Sequence, residues 1–195
     1  CHYCGCNSYP AAKPETVEAY VGALHREIDL VARHIDNSRQ ISQIHYGGGS
    51  PTSIPIPMLK ELNDHLLSIA PTIASPEIAI ECHPGYLSEH DWQQLTACGF
   101  TRYSIGIQDM KEEVLKAVNR RPSLLPLQEI LQILRASGAT VNFDFIYGLP
   151  LQSVDSFRKT IEQASALRPD RLVTFSYAHL PKLFPRQQIL DRMGL

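Results

Sequence analysis

The chain has 195 residues, of which 44% are hydrophobic and 19% are charged, and its formal net charge is −2. This is the composition of a globular protein with one substantial hydrophobic core. A net charge near zero does not favour nucleic acid or an anionic membrane as a partner. No apolar run reaches the roughly eighteen residues of a membrane span. We therefore predict a protein without nucleic-acid or membrane partners.

The cysteines are clustered at the start of the chain. Cys1, Cys4 and Cys6 lie within six residues, whereas Cys82 and Cys98 stand alone. An odd number in this arrangement is unlike a secreted disulfide framework, and no signal-peptide pattern precedes it, so we predict a cytoplasmic protein. Because the first residue is Cys rather than Met, we also expect that the numbering opens inside a longer polypeptide.

The first half of the chain alternates between helical and extended patterns. In chain order it predicts a helix over 14–36, a strand over 41–46 followed by a glycine-rich turn, a helix over 56–70, a short strand from 77 that ends at Pro84 and Gly85, and a helix over 87–100. Ser88 is suited to cap the last of these helices at its amino end, and Gly99 is suited to end it.

The second half continues the alternation. It predicts a strand over 101–109, helices over 111–119 and 124–138, a strand over 140–150, a helix over 153–169, a strand over 170–181 and a last helix within 184–195. Strands that alternate with helices form parallel sheets with right-handed crossovers.

Two closures of such a sheet compete, an open doubly wound sheet and a barrel-like array. The turn Gly47–Ser50 lacks the G-x-G-x-x-G spacing of a dinucleotide-binding fold. Polar or glycine residues follow or end every strand, and in a barrel those ends form one ligand-binding rim. We therefore favour a partial (β/α) barrel.

The Cys1-x-x-Cys4 pair is open to three interpretations. Zinc would require two more ligands, and the chain has no second C-x-x-C pair. Redox chemistry of the thioredoxin type would place the pair between a strand and a helix. An iron–sulfur cluster needs several thiolates, so a cluster here would require a further ligand.

Other candidate residues lie at the predicted strand ends. Three glycines and Ser50 allow close backbone approach to a ligand, although a plain tight turn has the same composition. Glu81, Gln108 and Asp144 lie among apolar residues and need a partner, a ligand or water. Asp144 has the alternative of a core salt bridge with Arg102 or Arg120. Histidines and tyrosines at the predicted strand ends could contact a ligand, but a purely structural role is the alternative for each. They are His45, His83, His179, Tyr46, Tyr147 and Tyr177.

Five segments together resemble the radical S-adenosylmethionine enzymes, and more closely the oxygen-independent coproporphyrinogen III oxidases. In order, they are C-x-x-C-x-C, YGGGSPT, SIGIQD, NFDFIYGLP and FSYAHLP. The resemblance covers essentially the whole chain. It implies a radical SAM core domain over 1–195, a partial TIM-like barrel that lacks its first strand.

The family's cluster motif is C-x-x-x-C-x-x-C-x-C, and its first three cysteines bind a [4Fe–4S] cluster. Cys1 and Cys4 match the second and third cysteines and are the implied metal ligands. Cys6 matches the fourth, which is not a ligand. The first cysteine would lie four residues before Cys1, so the expected fragment would lack that ligand and a carboxyl-terminal portion and would be inactive alone.

The resemblance also implies the residues that bind S-adenosylmethionine. Tyr3 matches a contact in the cluster loop, and Ser50 stands where the family usually has threonine. At its third position, Glu81-Cys82-His83-Pro84 departs from the family pattern, which leaves Glu81 matched but not His83. The full implied set is Tyr3, Gly48, Gly49, Ser50, Glu81, Gln108, Arg120, Asp144 and Ala178.

The implied activity is oxidative decarboxylation of coproporphyrinogen III to protoporphyrinogen IX in haem biosynthesis, through a 5′-deoxyadenosyl radical. The implied partners are the porphyrinogen and an electron donor such as a flavodoxin or ferredoxin, with a monomeric full-length protein. Two rivals are a haem-carrying relative that holds a cluster without decarboxylating, and a Cys-x-x-Cys zinc or redox module. Cys6 and the YAHLP segment favour the oxidase over the carrier.

Overall fold

The computed structural model describes residues 1–6, 13–36 and 38–195. Its helices are α1 Pro14–Ala32, α2 Ile56–Ser68, α3 Glu89–Thr96, α4 Glu112–Ala117, α5 Leu127–Ala136, α6 Val154–Ala166 and α7 Gln188–Arg192. Its strands are β1 Ile41–Tyr46, β2 Thr72–Cys82, β3 Arg102–Gln108, β4 Thr140–Tyr147 and β5 Arg171–Ser176. No helix among the described residues is long and apolar enough to cross a bilayer.

The five strands form one sheet in the order β1-β2-β3-β4-β5, and every neighbouring pair is parallel. Since consecutive strands are neighbours, right-handed crossovers place α2, α3, α5 and α6 on one face of the sheet, where they share its main hydrophobic core. Helix α4 instead packs with α7 and Tyr3 in a second, smaller cluster. The sheet curls into a half-barrel, which confirms the predicted partial barrel and excludes the doubly wound alternative. Because all neighbouring strands are parallel, their carboxyl ends meet at one rim, and we call the face opposite α2, α3, α5 and α6 the inner face.

The hydrophobic core lies between the sheet and the helices. On β3 the buried side chains of Tyr103, Ile105 and Ile107 alternate with less buried ones, as the period of two in a strand requires. Trp92 of α3 is fully buried and packs edge-on against Tyr103, with ring centroids 6.4 Å apart. The alternation leaves Arg102, Ser104, Gly106 and Gln108 on the inner face.

Strand β2 is longer than predicted, since it begins at Thr72 rather than at residue 77. The sequence does not predict this extension, because it contains Pro76 and proline is normally excluded from central strands. Here β3 pairs with β2 only from Ala79 onward, and the β1–β2 register is irregular between Ile41 and Gln43. Residues 72–78 therefore lie outside the β2–β3 ladder, where a proline is tolerated.

Helix boundaries follow the predicted caps in part. The Ser88 hydroxyl accepts from the Asp91 N–H at 3.3 Å, and the Asp91 carboxylate accepts from the Ser88 N–H at 2.8 Å, which completes a capping box. Gly99 adopts a φ of 84°, the left-handed conformation that ends a helix. The prediction for α1 was wrong at its end, because the helix stops at Ala32 and not at residue 36.

Removing the cap of α3 should destabilise the fold. Ser88→Ala is expected to lower the free energy of unfolding by about 1 kcal/mol, because it leaves helical N–H groups without an acceptor. Urea denaturation followed by circular dichroism measures this. Ser165→Ala, on an exposed position inside α6, is the control and should leave stability unchanged or slightly raised. Equal effects of the two substitutions would contradict the capping role.

Candidate cofactor site at the strand rim

The inner face of the sheet carries a hydrogen-bonded polar group at β3 and β4. The Ser104 hydroxyl donates to Asp144 Oδ2 at 2.7 Å, and Asn142 Nδ2 donates to Asp144 Oδ1 at 2.6 Å. Burial raises the pKa of Asp144, while these hydrogen bonds oppose the shift. Arg102 pairs with Glu77 at 3.2 Å. Asp144 is therefore held by a hydroxyl and an amide, not by the core salt bridge considered as its alternative.

Glu81 lies beside this group, because it is the register partner of Ser104. Its Oε1 atom is 3.1 Å from His45 Nε2 of β1. Gly47 closes over both side chains, since a Cβ atom there would lie 2.8 Å from His45 Nε2 and 3.0 Å from Glu81 Oε1. The start of the glycine turn thus contacts the predicted carboxylate.

The rest of the glycine turn faces open space or α1. Gly48 has a φ of 116°, which favours glycine, and a Cβ atom there would meet nothing within 4 Å. Gly49 and Ser50 line a groove of about 650 Å³ between the tip of β1 and α1. The Ser50 hydroxyl lies 3.3 Å from the Thr52 hydroxyl. Within the described part of the chain, no hydrogen bond joins Gly48, Gly49 or Ser50 to Asp144.

Gln108 ends β3 in a strained conformation, with a φ of 72°. Its Oε1 atom is buried without a hydrogen-bond partner in the described part of the chain. Such an atom costs free energy unless a ligand or water satisfies it. Gly106 makes the arrangement possible, because a Cβ atom there would lie 2.8 Å from Gln108 Nε2 and 2.9 Å from Arg120 Nη2.

Arg120 joins β3 to the segment that contains the first cysteines. Its Nη2 donates to the Gly106 carbonyl, and its Nη1 donates to the Tyr3 hydroxyl at 3.0 Å and to Cys1 Sγ at 3.6 Å. The residue is 8% exposed, and no carboxylate forms an ion pair with it within the described ranges. A buried cation without a counter-ion is costly, so this position favours an anionic ligand.

Residues 1–6, which we name the cysteine loop, lie against α4 and the carboxyl-terminal segment. The His2 N–H donates to the Val118 carbonyl at 2.8 Å, and the Cys6 N–H donates to Cys4 Sγ at 3.3 Å. All five cysteines of the chain are free thiols. In the described part of the chain no group of three or more His, Cys, Asp or Glu side chains is arranged to hold a metal ion.

Two of the strand-end histidines are engaged in local structure. The Nδ1 atom of His83 accepts from the Gly85 N–H at 3.1 Å, and burial, with Arg120 nearby, lowers the pKa of His83 to about 3. His83 is therefore neutral at physiological pH. His179 bridges Tyr177 and Asp191, with both contacts at 2.7 Å.

Comparison with known proteins identifies the family. The family model described as the radical SAM superfamily matches residues 1–164. This chain belongs to the radical SAM superfamily. Membership implies the two cofactors predicted from the sequence, a [4Fe–4S] cluster and S-adenosylmethionine.

Among curated relatives, the oxygen-independent coproporphyrinogen III oxidase of Synechocystis is 35% identical over 196 residues, which span 100% of this chain and 42% of that protein. The enzyme of the same name from Pseudomonas aeruginosa is 38% identical over 197 residues, or 98% of this chain and 42% of the relative. The chain thus spans less than half the length of these radical SAM relatives.

Solved structures agree with the radical SAM fold. The coproporphyrinogen III oxidase of Escherichia coli superposes with a TM-score of 0.89 at 36% identity, covering 96% of this chain and 43% of that one. A radical S-adenosylmethionine methyltransferase from Kitasatospora setae gives a TM-score of 0.64 at 14% identity, covering 91% and 31%. At 14% identity, the similarity to the methyltransferase supports a shared fold and nothing further.

The described residues carry the types of functional group that the radical SAM cofactors require. Cys1 and Cys4 supply two thiols, and a [4Fe–4S] cluster needs more than two. The unpartnered Gln108 Oε1, the buried Arg120 cation and the inner-face carboxylates offer an acceptor, a cation and anions to a nucleoside ligand that carries an ammonium, a carboxylate and a sulfonium group. The described residues thus suit S-adenosylmethionine, and the two thiols are of the type that a cluster requires.

Several residues of this radical SAM rim were not among the predicted ones. Ser104 and Asn142 organise Asp144, and Gln187 hydrogen-bonds the carbonyls of Tyr3 and Ala178. The strand alternation in SIGIQD places Ser104 on the face of Gln108, so that residue had a signal in the sequence. Gln187 had none, because its contacts join residues far apart in the chain.

A methyl group at position 106 should disrupt this rim locally. Gly106→Ala is expected to displace Gln108 and Arg120 and to weaken S-adenosylmethionine binding at least about tenfold. Isothermal titration of anaerobically purified protein measures the dissociation constant. Gly22→Ala in α1 is the control, since its added Cβ would have only an ordinary contact at 3.6 Å with Arg26. Unchanged affinity in Gly106→Ala would contradict the assignment of this rim.

Proposed function

We propose that the chain is the radical SAM core of an oxygen-independent coproporphyrinogen III oxidase. The observation that carries this proposal is the likeness to the Escherichia coli enzyme at 36% identity over 96% of this chain. The chain spans 42–43% of that structure and of the curated relatives, so we propose that the core works within a longer polypeptide. The reaction would be oxidative decarboxylation of coproporphyrinogen III to protoporphyrinogen IX.

Cys1 and Cys4 are proposed as two of the cluster ligands. Arg120 Nη1 donates to Cys1 Sγ at 3.6 Å, which places that sulfur beside the buried cation. Further thiolates would come from outside the described residues. Tyr3 stands between these cysteines, and its hydroxyl accepts from Arg120, which fixes the loop against β3.

The remaining predicted residues are proposed to hold S-adenosylmethionine at the rim. Glu81 and Asp144 are carboxylates that accept from an ammonium group or from ribose hydroxyls, and Gln108 Oε1 is an acceptor without a partner. The guanidinium of Arg120 suits a carboxylate. Gly48, Gly49 and Ser50 present backbone groups and a hydroxyl at the tip of β1, and Ala178 presents its backbone after β5.

When bound, the cluster and S-adenosylmethionine supply the radical that removes a hydrogen atom from a propionate side chain. At each propionate that reacts, loss of that hydrogen atom, of carbon dioxide and of one electron to an acceptor outside this chain would leave a vinyl group. The residues of this chain bind and orient S-adenosylmethionine, and the inner face of the half-barrel keeps bulk water from the reacting carbon. An external one-electron donor of the flavodoxin or ferredoxin type, a monomeric state and a cytoplasmic location complete the proposal.

An anaerobic turnover assay tests the proposed function. The longest natural polypeptide that contains this chain should convert coproporphyrinogen III to protoporphyrinogen IX with a reductant and S-adenosylmethionine, and omission of S-adenosylmethionine should abolish the product. Chromatography of the oxidised porphyrins measures the conversion. Haem binding without any decarboxylation would contradict the proposal and favour the haem-carrier alternative.

The cysteines should differ in their effect on iron content. Cys4→Ser is expected to lower iron from about four atoms per chain to near zero, because a cluster ligand is lost. Cys6→Ser is the matched control and should keep the wild-type iron content and the absorbance near roughly 400 nm of the cluster. One zinc and no iron in the wild-type protein would contradict the cluster and favour a zinc module.

A further inference from the structure

The cysteine loop is fixed from two sides. On one side, Arg120 and Val118 bind it through the Tyr3 hydroxyl and the His2 N–H. On the other side, it lies against residues 177–191, which follow β5 and which we name the closing segment. The contacts with Arg120 and Val118 order the loop against β3. The contacts with the closing segment fix its position relative to β5.

Gln187 makes the polar contact between the closing segment and the loop. It is 1% exposed. Its Nε2 donates to the Tyr3 carbonyl at 2.9 Å and to the Ala178 carbonyl at 3.1 Å, and its Oε1 accepts from the Leu180 N–H at 2.5 Å. Both protons of the amide nitrogen and the oxygen are therefore used, and an amide is the side chain that provides two donors and one acceptor on one plane.

The closing segment is itself well braced. Phe184 packs on Gly5, where a Cβ atom would lie 2.9 Å from its ring. Tyr177, His179 and Asp191 form a hydrogen-bonded chain that ties the tip of β5 to α7. Gln187 thus spans two rigid elements, and its amide sets the distance between the Tyr3 and Ala178 carbonyls.

We propose that Gln187 is a positioning residue that holds the cysteine loop and the β5 tip in register for cofactor binding. This inference rests on the proposed function, because it assumes that Tyr3 and Ala178 contact S-adenosylmethionine. The side-chain hydrogen bonds of Gln187 within the described residues go to backbone groups of Tyr3, Ala178 and Leu180, and not to a cysteine. Without the Gln187 amide, the loop and the β5 tip would move apart. The cluster and S-adenosylmethionine would then no longer be held in one fixed geometry.

Two substitutions test the hydrogen bonds of the Gln187 amide separately from its volume. Gln187→Glu keeps the shape but replaces the two donors with an acceptor facing two carbonyls, and Gln187→Met keeps the volume without hydrogen bonds. Gln188→Glu is the matched control, since Gln188 is exposed and, among the described residues, its side chain donates to the Pro181 carbonyl at 3.1 Å. All variants are made in the longest natural polypeptide that contains this chain and are purified anaerobically.

The readout is the change that S-adenosylmethionine causes in the electron paramagnetic resonance spectrum of the reduced cluster. We expect both Gln187 variants to retain iron and secondary structure but to lose this change, with S-adenosylmethionine affinity weakened about tenfold or more. Gln188→Glu should keep the wild-type response and an affinity within about twofold.

The outcomes distinguish the inference from the proposed function. If the wild-type protein binds no cluster or no S-adenosylmethionine, the proposed function fails. If the wild type responds and the Gln187 variants match Gln188→Glu, only the positioning role is wrong. Unfolding of both Gln187 variants would also overturn it, because the amide would then serve the fold as a whole and not the position of the cofactors.

Discussion

One buried guanidinium connects the two parts of the site. Arg120 donates to the Gly106 carbonyl on the sheet and to the Tyr3 hydroxyl and Cys1 Sγ in the cysteine loop. Without a carboxylate partner among the described residues, its charge remains available to an anionic ligand at the rim. The glycine at 106 is a condition of this contact, because any side chain there would occupy the place of the guanidinium.

The half-barrel explains why this contact lies at a ligand site and not in a core. Helices α2, α3, α5 and α6 cover one face, so the outer side chains of β3 are buried and the inner ones are less so. The inner face carries polar groups from four strands, from His45 on β1 to Asp144 on β4. A dry core would not hold such a row, since each unpaired polar group costs free energy.

The elements of this fold could be predicted from the sequence because their signals are local. The period of two in RYSIGIQ, the Ser88 cap and the Gly99 stop each depend on neighbouring residues. The extension of β2 through Pro76 could not, because it depends on where β3 begins to pair. The glycine turn, Glu81, Gln108 and Asp144 were predicted from their positions at strand ends, and Tyr3, Arg120 and Ala178 came from matched motifs. Asn142 had a local signal, because it lies two residues before Asp144 on the same face of β4. Gln187 escaped prediction, because a hydrogen bond between distant segments leaves no pattern along the chain.

The buried amide of Gln187 and the buried guanidinium of Arg120 solve the same physical problem on opposite sides of the cysteine loop. A loop of six residues, four of which are cysteine or glycine, has little apolar surface of its own to bury, so packing alone orders it weakly. Directional hydrogen bonds from rigid, planar donors order it instead, and each donor group is anchored in its turn by a sheet carbonyl or by the closing segment. The loop is thereby positioned by the ends of β3 and β5 together, and these are the strands between which the carboxylate of Asp144 lies.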